Sequence, residues 1–140
     1  MSKRVRLLVV KVLLDTNMIL LIADGVNVKE NIESIIESKA DFLCPESVVK
    51  ELEEITKSKK EGWRKAQWAL INLHKICEKT KSIEETADSD ILLLADEIRE
   101  QGYEVIVATN DKELRKKLRQ KGFPTAYLVE SEMRVESDYD

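Results

Sequence analysis

The sequence predicts an α/β fold, a three-layer α/β/α sandwich with a central parallel sheet of four to five strands. Three observations predict it. Two short β-branched and leucine-rich runs, Val5–Leu14 and Val105–Ala108, lack polar alternation and read as strands covered on both faces. Amphipathic helical segments stand between strand-like runs, and that alternation builds a parallel sheet through right-handed crossovers. Both runs end in a polar triplet, Asp15-Thr16-Asn17 and Thr109-Asn110-Asp111, at the strand ends where open parallel sheets gather functional groups.

Taken in order, the first strand stops at Asp15, a residue type that starts helices and turns. Met18–Ala23 and Val28–Ser38 are expected as helices parted by Asp24-Gly25-Val26-Asn27. Asp41–Cys44 is a short strand, and Pro45 suits the first turn of a helix that runs to Lys57. After the charged loop Ser58–Gly62, Trp63–Cys77 is expected as one helix. Its core face holds Ala66, Leu70, Leu73 and Cys77, with Trp68 also in the core and His74 partly buried. Glu78–Ala87 yields only a short strand around Lys79–Ile83. Asp88–Gln101 is a helix stopped by Gly102, Asp111–Gln120 is another, and Thr125–Val129 is the last strand. Residues 1–129 then form one domain, and 130–140 an acidic, flexible tail.

The chain has 140 residues, enough for one such domain and too few for two. Its formal charge of −4, taken over the whole chain, argues against a nucleic-acid partner. The tail, however, carries Glu130, Glu132, Glu136, Asp138 and Asp140 against Arg134 alone, also a net of −4, so the domain is neutral. A single histidine, His74, excludes His-pair metal sites within one chain, and no Gly-x-Ser-x-Gly elbow occurs. Cys44 and Cys77 have no zinc spacing and are expected as buried reduced thiols. No apolar run is long enough to span a bilayer, so the expected location is the cytoplasm, away from any membrane.

Acidic residues recur at the strand ends. Asp15 follows the first strand, Asp111 follows Val105–Ala108, Glu51 lies in the helix after the second strand, and Asp90 lies in the first turn of Asp88–Gln101. Two carboxylates about 4 Å apart repel by roughly 4 kcal/mol at an effective dielectric near 20. A hard divalent cation relieves that repulsion, and Mg²⁺ or Mn²⁺ takes oxygen ligands without histidine or cysteine. The chemistry that best suits an all-carboxylate site is phosphodiester hydrolysis. An aspartate after a strand is also often no more than a helix cap, so spacing alone leaves a metal site and plain capping both open.

The motifs themselves resemble a known family. Val12-Leu13-Leu14-Asp15-Thr16-Asn17 is similar to the opening motif of the PIN-domain nucleases, and Pro45-x-x-Val48-x-x-Glu51-Leu52 to their second. Ala87-Asp88-Ser89-Asp90-Ile91-Leu92-Leu93-Leu94-Ala95 resembles the third, and Thr109-Asn110-Asp111-Lys112-Glu113-Leu114 the fourth. The resemblance implies a Mg²⁺- or Mn²⁺-dependent ribonuclease with Asp15, Glu51, Asp90 and Asp111 as catalytic metal ligands. Asn17 and Thr109 would be supporting groups. Of the third-motif acids, Asp90 is preferred because Asp90-Ile91-x-x-Leu94-Ala95 matches a family spacing. Asp88, about 200° away around a helix, is read as its N-cap.

Two branches of the family compete, the toxins of toxin–antitoxin pairs and the rRNA-processing nucleases. The stretch Glu104–Arg119 with Pro124-x-x-Tyr127-Leu128 looks more like the processing branch. The expected partners are an RNA substrate, a pre-ribosomal particle or an antitoxin, and a second copy in a homodimer. Lys112, Arg115, Lys116 and Arg119 on the helix beside Asp111, with Arg64 from a second basic cluster, are expected to contact RNA. Trp63 is a candidate to stack a base. The rival expectation is a non-catalytic RNA-binding assembly factor with the same fold.

Overall fold

In the computed structural model, which describes residues 9–139, the first strand is β1 (Val10–Leu14). The expected residues 5–8 of that strand lie outside the described residues. The chain continues through α1 (Thr16–Ala23), α2 (Val28–Ile36), β2 (Asp41–Pro45), α3 (Glu46–Ser58), α4 (Trp63–Ile71) and α5 (Leu73–Ile76). Then come β3 (Glu78–Thr80), α6 (Ala87–Glu100), β4 (Glu104–Ala108), α7 (Lys112–Gln120) and β5 (Thr125–Val129). A short 3-10 turn, Glu130–Glu132, leads to β6 (Arg134–Ser137).

The sheet order is β3-β2-β1-β4-β5-β6, parallel except for β6, which runs antiparallel to β5. Val12, Leu13 and Leu14 of β1 and Ile106, Val107 and Ala108 of β4 are fully buried, which is why both strands read as unbroken apolar runs. Their register, Val12 beside Ile106 and Leu14 beside Ala108, brings both strands to an end together. The Asp15 N–H then donates to the Ala108 carbonyl at 3.0 Å, so the two polar triplets start side by side. From β1 the crossovers lead outward to β2 and β3. The chain returns through α6 to β4 on the other flank and continues to β5. The order reverses between β1 and β4, and the crevice at such a switch point is where α/β sheets bind ligands.

Four expectations are corrected. The sheet has six strands rather than four to five, because the acidic segment set apart as a tail supplies the last one. Val135 anchors it: the side chain is fully buried and its N–H donates to Asn31 Oδ1 at 2.8 Å. The single helix expected over 63–77 breaks at Asn72, whose backbone N–H and side-chain amide both return to the Trp68 carbonyl, at 3.0 and 2.9 Å. The buried face is therefore Ala66, Ala69, Leu73 and Ile76, while Trp68 is 45% exposed and His74 is exposed. Finally, Cys44 and Cys77 form a disulfide, since the pairing of β2 with β3 brings their Cα atoms to 5.7 Å. The expected stop at Gly102 stands: this residue follows α6 with φ +100°, a conformation that glycine adopts without strain.

Candidate active site

Asp15 is the centre of the polar crevice at the switch point. It caps α1 by accepting the Thr16 N–H at 2.8 Å through Oδ1, while Oδ2 accepts the Thr109 hydroxyl at 2.7 Å and the Asn17 amide at 3.2 Å. The two triplets interlock further. Asn17 Oδ1 accepts the Asn110 N–H at 3.0 Å, and Thr109 Oγ1 accepts the Asp111 N–H at 3.1 Å. Asn110 Oδ1 in turn accepts the Leu128 N–H at 2.8 Å, fixing the second triplet to β5. Asn17 and Thr109 thus hold one carboxylate between two strand ends.

Three more acids approach this centre from separate elements. Glu51, in the second turn of α3, accepts a short hydrogen bond from the Thr16 hydroxyl. Asp111 caps α7, accepting the Glu113 and Leu114 N–H groups at 2.9 and 3.1 Å through Oδ1. Asp88 lies in the first turn of α6 and is exposed; the helix starts one residue earlier than expected, so its N-cap is Thr86 and not Asp88. Electrostatics link them. Burial pushes the Asp15 carboxyl above the ordinary aspartate range, and the charges of Glu51 and Asp88 add to that shift, while the bonds from Thr109 and Thr16 oppose it. Asp88 is also raised, first by desolvation and then by Asp111, with Lys117 opposing. The acids therefore feel one another across the crevice. Among the described residues, no three of them converge closely enough to form a ready-made ion cage.

Asp90 stands apart from this group. It is completely buried, and its Oδ2 accepts the Ser47 hydroxyl at 2.6 Å. Its Oδ1 accepts the Ile83 and Glu84 N–H groups at 2.6 and 3.0 Å. The preference for Asp90 over Asp88 at the crevice does not match this placement. A signal was available in the sequence: Ala87, Ile91, Leu94, Ala95 and Ile98 form the buried stripe of α6, and Asp90 lies on that stripe while Asp88 lies off it.

The basic residues divide in the same way. Lys112 and Lys116 are exposed and, among the described residues, make no ion pair. Arg115 is half-buried, its guanidinium 3.8 Å from the centre of the Tyr127 ring and its Nε donating to Thr125 Oγ1 at 3.3 Å. Arg119 pairs with Asp138 at 3.7 Å. Arg64 is exposed beside Trp63, whose ring has Lys59 at 4.0 Å and Arg64 at 5.1 Å. Cations already cover that ring, so base stacking there requires them to move. Among the described residues no helix is long and apolar enough to cross a membrane.

No curated protein matches the sequence. Among solved structures, one described as the PIN domain endonuclease Utp24 matches with a TM-score of 0.70 at 22% identity, covering 91% of this chain and 90% of that one. At that identity the likeness establishes the fold. A family model described as PIN like domain matches residues 12–130, from β1 to the end of β5, so the stretch that carries all four motifs is the stretch the family defines. The chain belongs to the PIN-like domain family.

Proposed function

We propose that the protein is a divalent-metal-dependent endoribonuclease that hydrolyses RNA phosphodiesters in ribosomal RNA processing. One observation carries this reading: Asp15, at the switch point, is held by the hydroxyl and amides of both triplets, and the charges of Glu51 and Asp88 reach it from separate helices. An oxygen-only donor set fits Mg²⁺ or Mn²⁺. Repulsion among Asp15, Glu51, Asp88 and Asp111 is the cost that such a cation offsets. In this reading Asp88 replaces Asp90 as the third-motif ligand, with Asp15, Glu51 and Asp111 as the others. The processing role is supported by the resemblance of Glu104–Arg119 and Pro124-x-x-Tyr127-Leu128 to that branch, under which a pre-ribosomal particle is the favoured partner.

A cation held by Asp15, Glu51, Asp88 and Asp111 would lower the pKa of a bound water and offset charge growing on the scissile phosphate. The chain's own residues supply order. Thr109 and Asn17 keep the Asp15 carboxylate from rotating, and the Thr16 hydroxyl aligns Glu51. The exposed lysines of α7, Lys112 and Lys116, begin beside Asp111 and are placed to hold an RNA backbone near the acids.

The test is cleavage of a labelled RNA with Mn²⁺ present or chelated. The wild type should cut only with the ion, and Asp15→Asn should lose at least about a hundredfold in rate while keeping its circular dichroism spectrum. Wild-type activity in Asp15→Asn overturns the assignment. RNA binding without cleavage in the wild type favours the assembly-factor alternative.

A further inference from the structure

Of the five candidate acids, Asp90 is the one the crevice does not use, and its burial is complete. A carboxylate persists at such a site only when its oxygens are satisfied. Its three partners come from two other parts of the chain, the Ser47 hydroxyl of α3 and the Ile83 and Glu84 amides of the loop before α6. The same loop returns to α3. The Ser47 N–H donates to Ser82 Oγ at 2.8 Å, and the Ser82 N–H donates to Glu46 Oε1 at 3.3 Å. A continuous polar network thus joins the first turn of α3, the loop 82–84 and the start of α6.

The helical spacing gives this network a direction. Ser47 and Glu51 are four residues apart on α3 and share a face one turn apart. Asp90 and Asp88 are two apart on α6 and point about 200° away from each other. The network therefore ties the helix that carries Glu51 to the helix that carries Asp88, from the buried side of α6. A loop staple alone would need only the two amides. The Ser47 hydroxyl, 43 residues away in sequence, is what links the two acid-bearing helices.

We propose that Asp90, acting through Ser47, is a positioning residue that sets the separation of Glu51 and Asp88 and thereby the affinity of the crevice for a divalent cation. The proposal rests on the nuclease reading for the identity of the ligand, and its test separates the two. The experiment compares the wild-type chain with Ser47→Ala and Asp90→Asn. Mn²⁺ is titrated alone and followed by thermal shift, the same ion is titrated in RNA cleavage, and amide hydrogen exchange is measured at Glu51, Ile83, Glu84 and Asp88. Ser47→Ala removes one hydrogen bond and leaves Asp90 its two amides, so this variant remains folded even if Asp90→Asn does not.

The expected result is a Mn²⁺ midpoint raised about tenfold in Ser47→Ala, the scale at which groups supporting metal ligands act. Cleavage recovers at high Mn²⁺, and exchange is faster at Asp88 and Glu51 as well as in the loop. A lower melting temperature with an unchanged Mn²⁺ midpoint overturns the proposal, because a purely structural staple predicts that outcome. If the wild type shows no Mn²⁺ response and no cleavage, the nuclease reading fails. The exchange rates then still decide the clamp: faster exchange at Asp88 and Glu51 supports it, and exchange altered only at Ile83 and Glu84 removes it.

Discussion

Asp88 and Asp90 are parted by a single serine, and the helix turns them to opposite fates. Asp90 lies on the apolar stripe of α6 with both oxygens satisfied by hydrogen bonds, whereas Asp88 feels the charge of Asp111, with Lys117 offsetting the repulsion. The Asp88 carboxyl is therefore raised, and the sign of its effect on stability follows. Below the ordinary aspartate range it is protonated in both folded and unfolded chains and contributes nothing. As pH rises from that range through its higher folded value, the unfolded chain releases the proton first and stability is lost. Asp88→Asn should raise the melting temperature of the metal-free protein at pH 7, leave it unchanged near pH 3, and abolish Mn²⁺-dependent cleavage. Equal melting temperatures for the two proteins at pH 7 would show that the charge carries no folding cost. The sequence motif pointed to Asp90, which is buried away from the other acids, because a motif records spacing and not burial. The partners that absorb Asp90, Ser47 and the amides of residues 83 and 84, are supplied by tertiary structure.

At the scale of elements, α7 shows how a basic run becomes a graded surface. The sequence marks Lys112, Arg115, Lys116 and Arg119 alike, yet packing removes Arg115 onto Tyr127, and β6 brings Asp138 to Arg119. Asp138 is itself held in place, accepting the Thr125 N–H at 2.6 Å and its hydroxyl at 3.0 Å. Lys112 and Lys116 are left exposed and without an ion pair among the described residues, and in the proposed reading they are the phosphate contacts. Each contact to single-stranded RNA contributes about 0.7 to the slope of log affinity against log salt. A Lys112→Ala, Lys116→Ala double variant should therefore flatten the slope by about 1.4, while Arg115→Ala should act mainly by loosening α7 against β5. Asp138→Asn frees Arg119 and is expected to tighten RNA binding and steepen the slope, as filter binding over a salt series would show. An unchanged slope in the lysine double variant would place the RNA on another face. The acidic segment hid this relation: composition marks it as a charged tail, and only the alternation around Val135 indicates a strand.

For the whole molecule, what was legible was the frame. β1 and β4 are buried on both faces and so write themselves as apolar runs, and their matching polar ends locate the switch point. The remaining organisation depends on contacts between distant residues, of which the disulfide is the clearest case. Cys44 is the penultimate residue of β2, just before the α3 turn that bears Ser47, and Cys77 begins the path through β3 to the loop that wraps Asp90. The bridge thus closes a loop with a sequence separation of 33, containing all of α3, α4 and α5. By the chain-entropy argument, cross-linking a loop of that size stabilises the fold by about 3–4 kcal/mol. Urea unfolding with and without reductant measures it directly: reduction should lower the midpoint with little change in fold, and a Cys44→Ala, Cys77→Ala variant should behave like the reduced protein. Equal midpoints under both conditions would show that the thiols, though adjacent, stay unlinked in solution. Because the bridge lies at the edge of the sheet and Asp15 at its centre, reduction should spare the Thr109 and Asn17 bonds to Asp15 and first loosen β3 and the loop 82–84. Residual cleavage activity in the reduced protein, with a raised requirement for Mn²⁺, is the expected signature of that order of events.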